Sequence, residues 1–410
     1  MNLGHKIEDI VEHLCKKSFL ADFTVRNPKY RKSGGQEKEA ADLLIVFENT
    51  LIAIQIKSRH LDSPSAQPCK VEAQRLCKTI DKTIHQFRAL AEALNNPQFS
   101  SFCNGRGVEI AFDRKNITEI ICIVVFVPIW RTGGESGQVR FDTTCFPNQG
   151  IPIHLFTLNQ FSLLLELLNT LPDFILYLTA RWMLHGEALI PSDSDPADEW
   201  ALTTFEGKRL IEMYEKKMFA DITDLRARHR PSLVELERRE KPSYFIDRLI
   251  EQLYAAIGLG QPVDKRLNLL VEPNSLEAYQ MIIPYLAKLN RKDRGQLVEF
   301  LVNRVMHCQS REIAFRGFKF DEENDDAYLV LAAKFERENR RLALLNIAMG
   351  MGYELKAKKV IGIAVSSDWP DLPICDVVVA DVSKLEPSAK LIEMTEIAFR
   401  KRASPRFRRA

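Results

Sequence analysis

An aspartate, a glutamine and a lysine sit inside an otherwise apolar stretch of this chain, "KEAADLLIVFENTLIAIQIKSR", residues 38–59. Side chains in a strand alternate between faces, so Gln55 and Lys57 point the same way, ~7 Å apart at ~3.3 Å per residue. Asp42 opens the strand before them. A turn with an even residue count, such as Asn49-Thr50, sets Asp42 opposite Lys57 on that face. An odd turn sends it to the other face unless a bulge intervenes. The hairpin then gathers a carboxylate, an amide oxygen and an ammonium at one sheet edge. A hard divalent cation, Mg2+ or Mn2+, takes oxygen ligands and keeps several waters. Asp42 and the Gln55 amide oxygen supply two ligands, and the backbone carbonyl of Ile56 a third. Water bound to such a cation is a better nucleophile. Lys57 is placed to orient it and to stabilise charge developing on a phosphorane. This set of groups is suited to phosphodiester hydrolysis.

The flanking elements must position that set. Residues 5–19 carry Ile7, Val11, Leu14 and Phe19 on one side of a helix. "FTVRN" (23–27) reads as a strand, and the loop after it holds Gly34-Gly35. Residues 71–94 read as a long amphipathic helix, followed by strands at 107–112 and 119–128 and a glycine-bearing loop at 132–138. "IPIHLFTL" is a further strand, and 159–186 is helical. This order predicts an α/β sandwich with a mixed central sheet over residues 1–190. "PSDSDPADE" (191–199) reads as a boundary. Residues 191–310 form a charged helical region, and 311–400 a smaller C-terminal α/β unit. The strands of that unit are "AYLVLAAKF", "KKVIGIAVSS" and "CDVVVADV", with helices at 336–351 and 386–400. The tail, 401–410, is basic. Asp325 or Asp326 followed by Ala332-Ala333-Lys334-Phe335 mimics a second copy of the hairpin motif, one in which alanine cannot ligate a metal.

The first hairpin resembles the PD-(D/E)xK, or restriction-endonuclease-like, nuclease superfamily in its QxK variant, as in Mrr-like restriction enzymes. Asp42 matches the motif aspartate, Gln55 the variant acid position and Lys57 the lysine, while Ala41 stands where the pattern has proline. The resemblance covers roughly residues 4–130. It implies a restriction-endonuclease-like fold and a Mg2+- or Mn2+-dependent nuclease in bacterial defence or DNA maintenance. It also implies a glutamate from the first helix, for which "HKIEDIVEHL" offers Glu8, with Glu12 one turn later. Gln86 on the helix 71–94 matches a glutamine that faces the site in related nucleases. "NTLPDFILYLTARW" and "KKVIGIAVSSD" are similar to segments of long bacterial proteins that carry this domain at their N-termini. Arg59 follows the lysine and can reach a phosphate. Lys32, with Arg26, Lys29, Arg31 and Tyr30, forms a basic loop able to hold a phosphate backbone.

Composition bounds the alternatives. Lys and Arg number 57 against 55 Asp and Glu, a formal charge of +2, so nucleic-acid binding would rest on a local patch. The 8 cysteines form no CxxC pair, which points to a reducing cytoplasm. The longest apolar run, 120–130, is too short to span a bilayer, so no membrane partner is expected. "MNLGHKIEDIVEHLCKK" is amphipathic and acidic, unlike a signal peptide. GxxxxGK[ST], HExxH and GxSxG are absent from the sequence. His154 and His185 lack metal-ligand spacing and read as structural. DNA is favoured over RNA as partner, and a homo-oligomer is compatible with the chain. The alternative is a catalytically inactive protein that binds nucleic acid or a partner on the same fold.

Overall fold

Apolar alternation on both sides of residue 48 folds the chain into a hairpin, and the rest of the N-terminal half is laid against it. A computed structural model of the chain describes residues 3–19, 23–31, 37–61, 69–70, 73–94, 101–103, 109–111, 114–130, 139–141, 144–146, 151–259, 276–367 and 375–383. The elements run α1 (Leu3–Phe19), β1 (Thr24–Arg26), β2 (Lys29–Arg31), β3 (Glu37–Glu39), β4 (Leu43–Phe47) and β5 (Thr50–Leu61). Then come β6 (Cys69–Lys70), α2 (Ala73–Leu94), β7 (Ser101–Cys103), β8 (Glu109–Ala111), β9 (Glu119–Trp130) and β10 (Val139–Arg140). β11 (Cys145–Phe146), β12 (Ile153–Thr157), α3 (Leu158–Leu167), α4 (Leu171–Gly186), α5 (Pro196–Phe205), α6 (Gly207–Lys216) and α7 (Leu225–Arg228) follow.

Six of these strands make one mixed sheet in the order β1-β4-β5-β9-β12-β11. β1, β4 and β5 are antiparallel neighbours, β9 runs parallel to both β5 and β12, and β11 closes the far edge antiparallel. Period-two alternation decides what each face buries. Leu44, Leu51, Ala53, Cys122, Val124 and Leu155 pack on one side with Ile84, Phe87 and Leu90 of α2. On the other side Phe156 meets Phe161 of α3. Phe161 meets Phe174 of α4, which in turn lies 4.8 Å from Phe19 of α1, ring centre to ring centre.

The helix expected over 159–186 is two helices. Leu168 ends α3, and Thr170 caps α4 by accepting from the Asp173 N–H, with Pro172 in its first turn. Proline there pre-sets the new helix and cannot continue the old one. The expected loop 132–138, the helix 386–400 and the tail 401–410 lie outside the described residues.

A buried polar hub ties α4 and α5 to the sheet. Arg181 and Glu199 are both 0% exposed. Arg181 Nε donates to Glu199 Oε2 at 2.5 Å, Nη2 to the Thr144 hydroxyl at 2.7 Å and Nη1 to the Thr144 carbonyl at 2.9 Å. Ser194, His185 and Tyr177 complete the Glu199 carboxylate at 2.6, 2.9 and 3.1 Å. Arg181 Nη1 also donates to His154 Nδ1 at 3.2 Å, which places the imidazole proton on Nε2, where no partner is present. Burial, and then the Arg181 charge, push His154 well below its ordinary value. The folded state thus holds a neutral imidazole while the unfolded chain takes up a proton near pH 6.5. This contribution is intact above that pH and is lost as pH falls. The parent is expected to lose roughly 1 kcal/mol more per pH unit between pH 6 and 5 than His154→Gln. Urea unfolding at several pH values measures this, and parallel slopes for the two proteins would refute it.

The chain divides into two compact units, Met1–Glu235 and Leu236–Ala410. The expected helical region 191–310 is therefore split between them. α5 packs on α3, α4, α6 and α7, and so belongs with the first sheet. The helix α8 (Arg230–Glu240) crosses the boundary, and α9 (Tyr244–Leu259), α10 (Leu276–Ala287) and α11 (Arg291–Cys308) belong to the second unit. That unit continues with β13 (Ile313–Phe318), β14 (Asp326–Ala333), α12 (Arg337–Glu354), β15 (Lys359–Ser366) and β16 (Cys375–Asp381). Its four-stranded sheet follows chain order, with β14 and β15 parallel across α12 and antiparallel strands at both edges. Asp326 begins the same strand that carries Ala332, so Asp325 and Asp326 are not on a hairpin partner of "AAKF". The partner is β13, whose preceding residue Glu312 accepts the Lys334 N–H at 2.9 Å. Among the described residues, no helix is long and apolar enough to cross a membrane.

Candidate functional site

β4 is five residues long and β5 twelve, so β5 runs on past the point where its partner stops. The last rung pairs Leu43 with Ile54, and the turn is Glu48-Asn49. This corrects the expected register. With Thr50 in the strand rather than the turn, Asp42 stands level with Gln55, two residues before Lys57. The shift is by two, so Asp42, Gln55 and Lys57 still share a face, the one covered by α2.

The Asp42 carboxylate occupies the gap beyond β4. Its Oδ2 accepts the Ile56 N–H at 2.5 Å, in place of a ladder carbonyl. The N–H and C=O of a strand residue point to the same side, so the Ile56 carbonyl faces the same gap. Gln55 is 4% exposed, and its Oε1 accepts from Lys57 Nζ at 2.7 Å. The amide oxygen expected as a metal ligand is thus the anchor of the lysine. An amide oxygen has two lone pairs, so this bond leaves one acceptor position. Burial raises the Asp42 carboxyl above its ordinary value. The Ile56 N–H and the Lys57 ammonium act against that rise, and Glu8 adds to it.

Glu8 lies on α1, where Arg26 Nη2 approaches its carboxylate at 3.5 Å. The same guanidinium donates to Asp9 at 2.6 Å and Glu12 at 2.8 Å. Glu8 is near enough to bias both Asp42 and Glu39 electrostatically, but its nearest cation is Arg26. Glu39 was not expected. Displaced water, then the charges of Asp42 and Glu8, raise its carboxyl, while Lys29 and Lys57 lower it. With its amide nitrogen turned toward them, Asn27 donates to Glu39 Oε1 at 2.9 Å and to the Asp42 carbonyl at 3.0 Å. Asn27 has φ 47°, a left-handed conformation that asparagine tolerates well. The available signal was the short spacing of Glu39 and Asp42 in "EKEAAD" (37–42).

Gln86 is exposed on α2 and makes no described contact with this group. Lys32 lies outside the described residues, and Arg59 is described only through its backbone, where it pairs with Pro128. Among the described residues, no three His, Cys, Asp or Glu side chains converge as a metal-binding group. No protein-family model, curated protein or solved structure matches the chain.

Proposed function

We propose that the N-terminal unit is a metal-dependent nuclease of the restriction-endonuclease-like type that hydrolyses phosphodiester bonds, with DNA the favoured substrate. One observation carries the reading. A carboxylate, the carbonyl side of Ile56 and an ammonium fixed by a buried amide meet where β4 ends and β5 continues. This donor set suits a hard cation, since it offers oxygens of which one is charged. Asp42, the Ile56 carbonyl and the free lone pair of Gln55 would hold Mg2+, which supplies a more acidic water and neutralises phosphate charge. Lys57 has three donors and spends one on Gln55, leaving two for a water and a non-bridging phosphate oxygen. Gln55 keeps the ammonium in place before substrate arrives, so no reorganisation is needed when charge develops. The direct test is incubation of the purified chain with plasmid, linear DNA and RNA, with and without Mg2+ or Mn2+.

The neutral Gln55 makes the free site a weak one, completed by substrate oxygens. Gln55→Glu is expected to tighten Mn2+ binding about tenfold or more, since it adds a full charge beside the cation. Asp42→Asn is expected to remove binding and cleavage together. Isothermal titration with Mn2+, with and without a non-cleavable oligonucleotide, reads both. Tight binding that survives Asp42→Asn would put the metal elsewhere.

One observation favours a second reading, a catalytically inactive binding protein. No three-ligand acidic or histidine group is present among the described residues. The same incubation separates the two: binding without metal-dependent cleavage would leave only this one.

A further inference from the structure

The second unit carries a row of arginines that form no ion pair with an acid among the described residues. Phe300, Arg304 and Cys308 fall four residues apart on α11, which places them along one face at ~6 Å steps. β13 packs on that helix. Its Arg316 lies over the Phe300 ring, with Cζ 3.7 Å from the centroid. At the other end of the row, Arg311 donates its N–H to the Cys308 carbonyl at 3.2 Å, and the Cys308 thiol reaches back to the Arg311 carbonyl at 3.4 Å. Arg311 and Arg316 are exposed and Arg304 is half-buried between them. The Arg304 Nε is fully shielded from solvent and has no hydrogen-bond partner. Burial, then Arg316 and Arg311, lower its pKa; the charges acting on it are both cations.

A folded chain gains nothing from setting three guanidinium groups together with a buried N–H unmet. An anion with several oxygens removes both costs at once. Guanidinium forks match phosphate geometry, and an arginine stacked on an aromatic ring is already oriented for it. β13 is an edge strand, so the row lies at a rim open to an extended ligand.

We infer that Arg304, Arg311 and Arg316 form a phosphodiester-binding surface that grips the backbone of a nucleic acid. The inference deepens the nucleic-acid part of the function proposed above and is independent of its hydrolytic part. Backbone contacts of this type carry no sequence information and are salt-dependent.

The test is fluorescence anisotropy of a short labelled oligonucleotide, single-stranded and duplex, with the full chain in EDTA so that nothing is cleaved. Arg311→Ala and Arg316→Ala are each expected to weaken binding about 5- to 10-fold and to lower the log–log salt slope by about one. Arg316→Lys keeps the charge and is expected to retain the slope. Arg311 is exposed in a turn, so its variant reports even if loss of the Phe300 contact unfolds Arg316→Ala. Affinity and slope unchanged in Arg311→Ala, with Arg316→Ala folded and also unchanged, would overturn the inference. So would no oligonucleotide binding, or competition showing that only inorganic phosphate binds. Arginine-dependent binding by a chain that never cleaves would uphold this surface while the hydrolytic reading fails. Lys57-dependent cleavage with arginine-independent binding would do the reverse.

Discussion

Lys57→Ala is expected to lower the rate of metal-dependent cleavage by about 10²–10³-fold, the usual cost of removing one donor aimed at transition-state charge. The lysine is half-buried on β5 beyond the last β4 rung, and its one described bond is to Gln55. Its removal therefore leaves the apolar contacts between α2 and the sheet intact. The buried Gln55 oxygen loses its donor, so thermal unfolding should show a modest cost of about 1–3 kcal/mol with the fold retained. Measured under single-turnover conditions, the loss should appear in the chemical step rather than in oligonucleotide affinity. A folded variant that cleaves at the parent rate would show that Lys57 has no catalytic part.

The second large effect is on stability. Glu199→Gln is expected to cost about 3–5 kcal/mol, because it strands the Arg181 guanidinium in the core without a counter-charge. For a unit of this size that corresponds to a fall in Tm of roughly 6–20 °C. Burial alone would raise the Glu199 carboxyl, but Arg181, His185 and Ser194 outweigh it and hold it far below the carboxylate range. The hub is thus a net sink for one negative charge. Replacing both partners, Arg181→Met with Glu199→Leu, should retain more stability than Glu199→Gln alone. Urea unfolding followed by tryptophan fluorescence reads this, since Trp200 is buried next to Glu199 in the chain. A Glu199→Gln protein as stable as the parent would mean that the pair is not energetically coupled.

Much of the first sheet was legible because its strands repeat apolar residues at period two or run fully apolar, as in "IICIVVFVPIW". The register was not, for a reason confined to one residue. Glu48 takes φ 52°, a conformation usually given to glycine, asparagine or aspartate, so the sequence pointed to Asn49 as the opening turn residue. Thr50, β-branched, belongs to the strand. The convergence of Asp42, Gln55 and Lys57 on one face survived because the error was even. Glu39 was missed because its position depends on Asn27 and the β2–β3 pair, neither of which has a periodic signature. β13 was missed because Arg316 and Gly317 interrupt its apolar run. The Gly317 position leaves room for the Met351 side chain, which a Cβ would meet at 1.6 Å. The Arg181–Glu199 hub was illegible, since its members come from four separate segments and each looks like a surface residue by type.

The bond between the Ile56 N–H and Asp42 also bears on how the sheet edge meets other molecules. A strand that outruns its neighbour presents a free backbone edge, and free edges recruit strands from other molecules. Here the first group beyond the last rung is a carboxylate that takes the N–H for itself and sets a negative charge where an incoming strand would have to lie. Acid at an edge is a common guard against sheet growth between molecules. One side chain thereby both shapes the pocket and blunts the sheet, so a change that neutralises it removes a safeguard against aggregation along with a ligand.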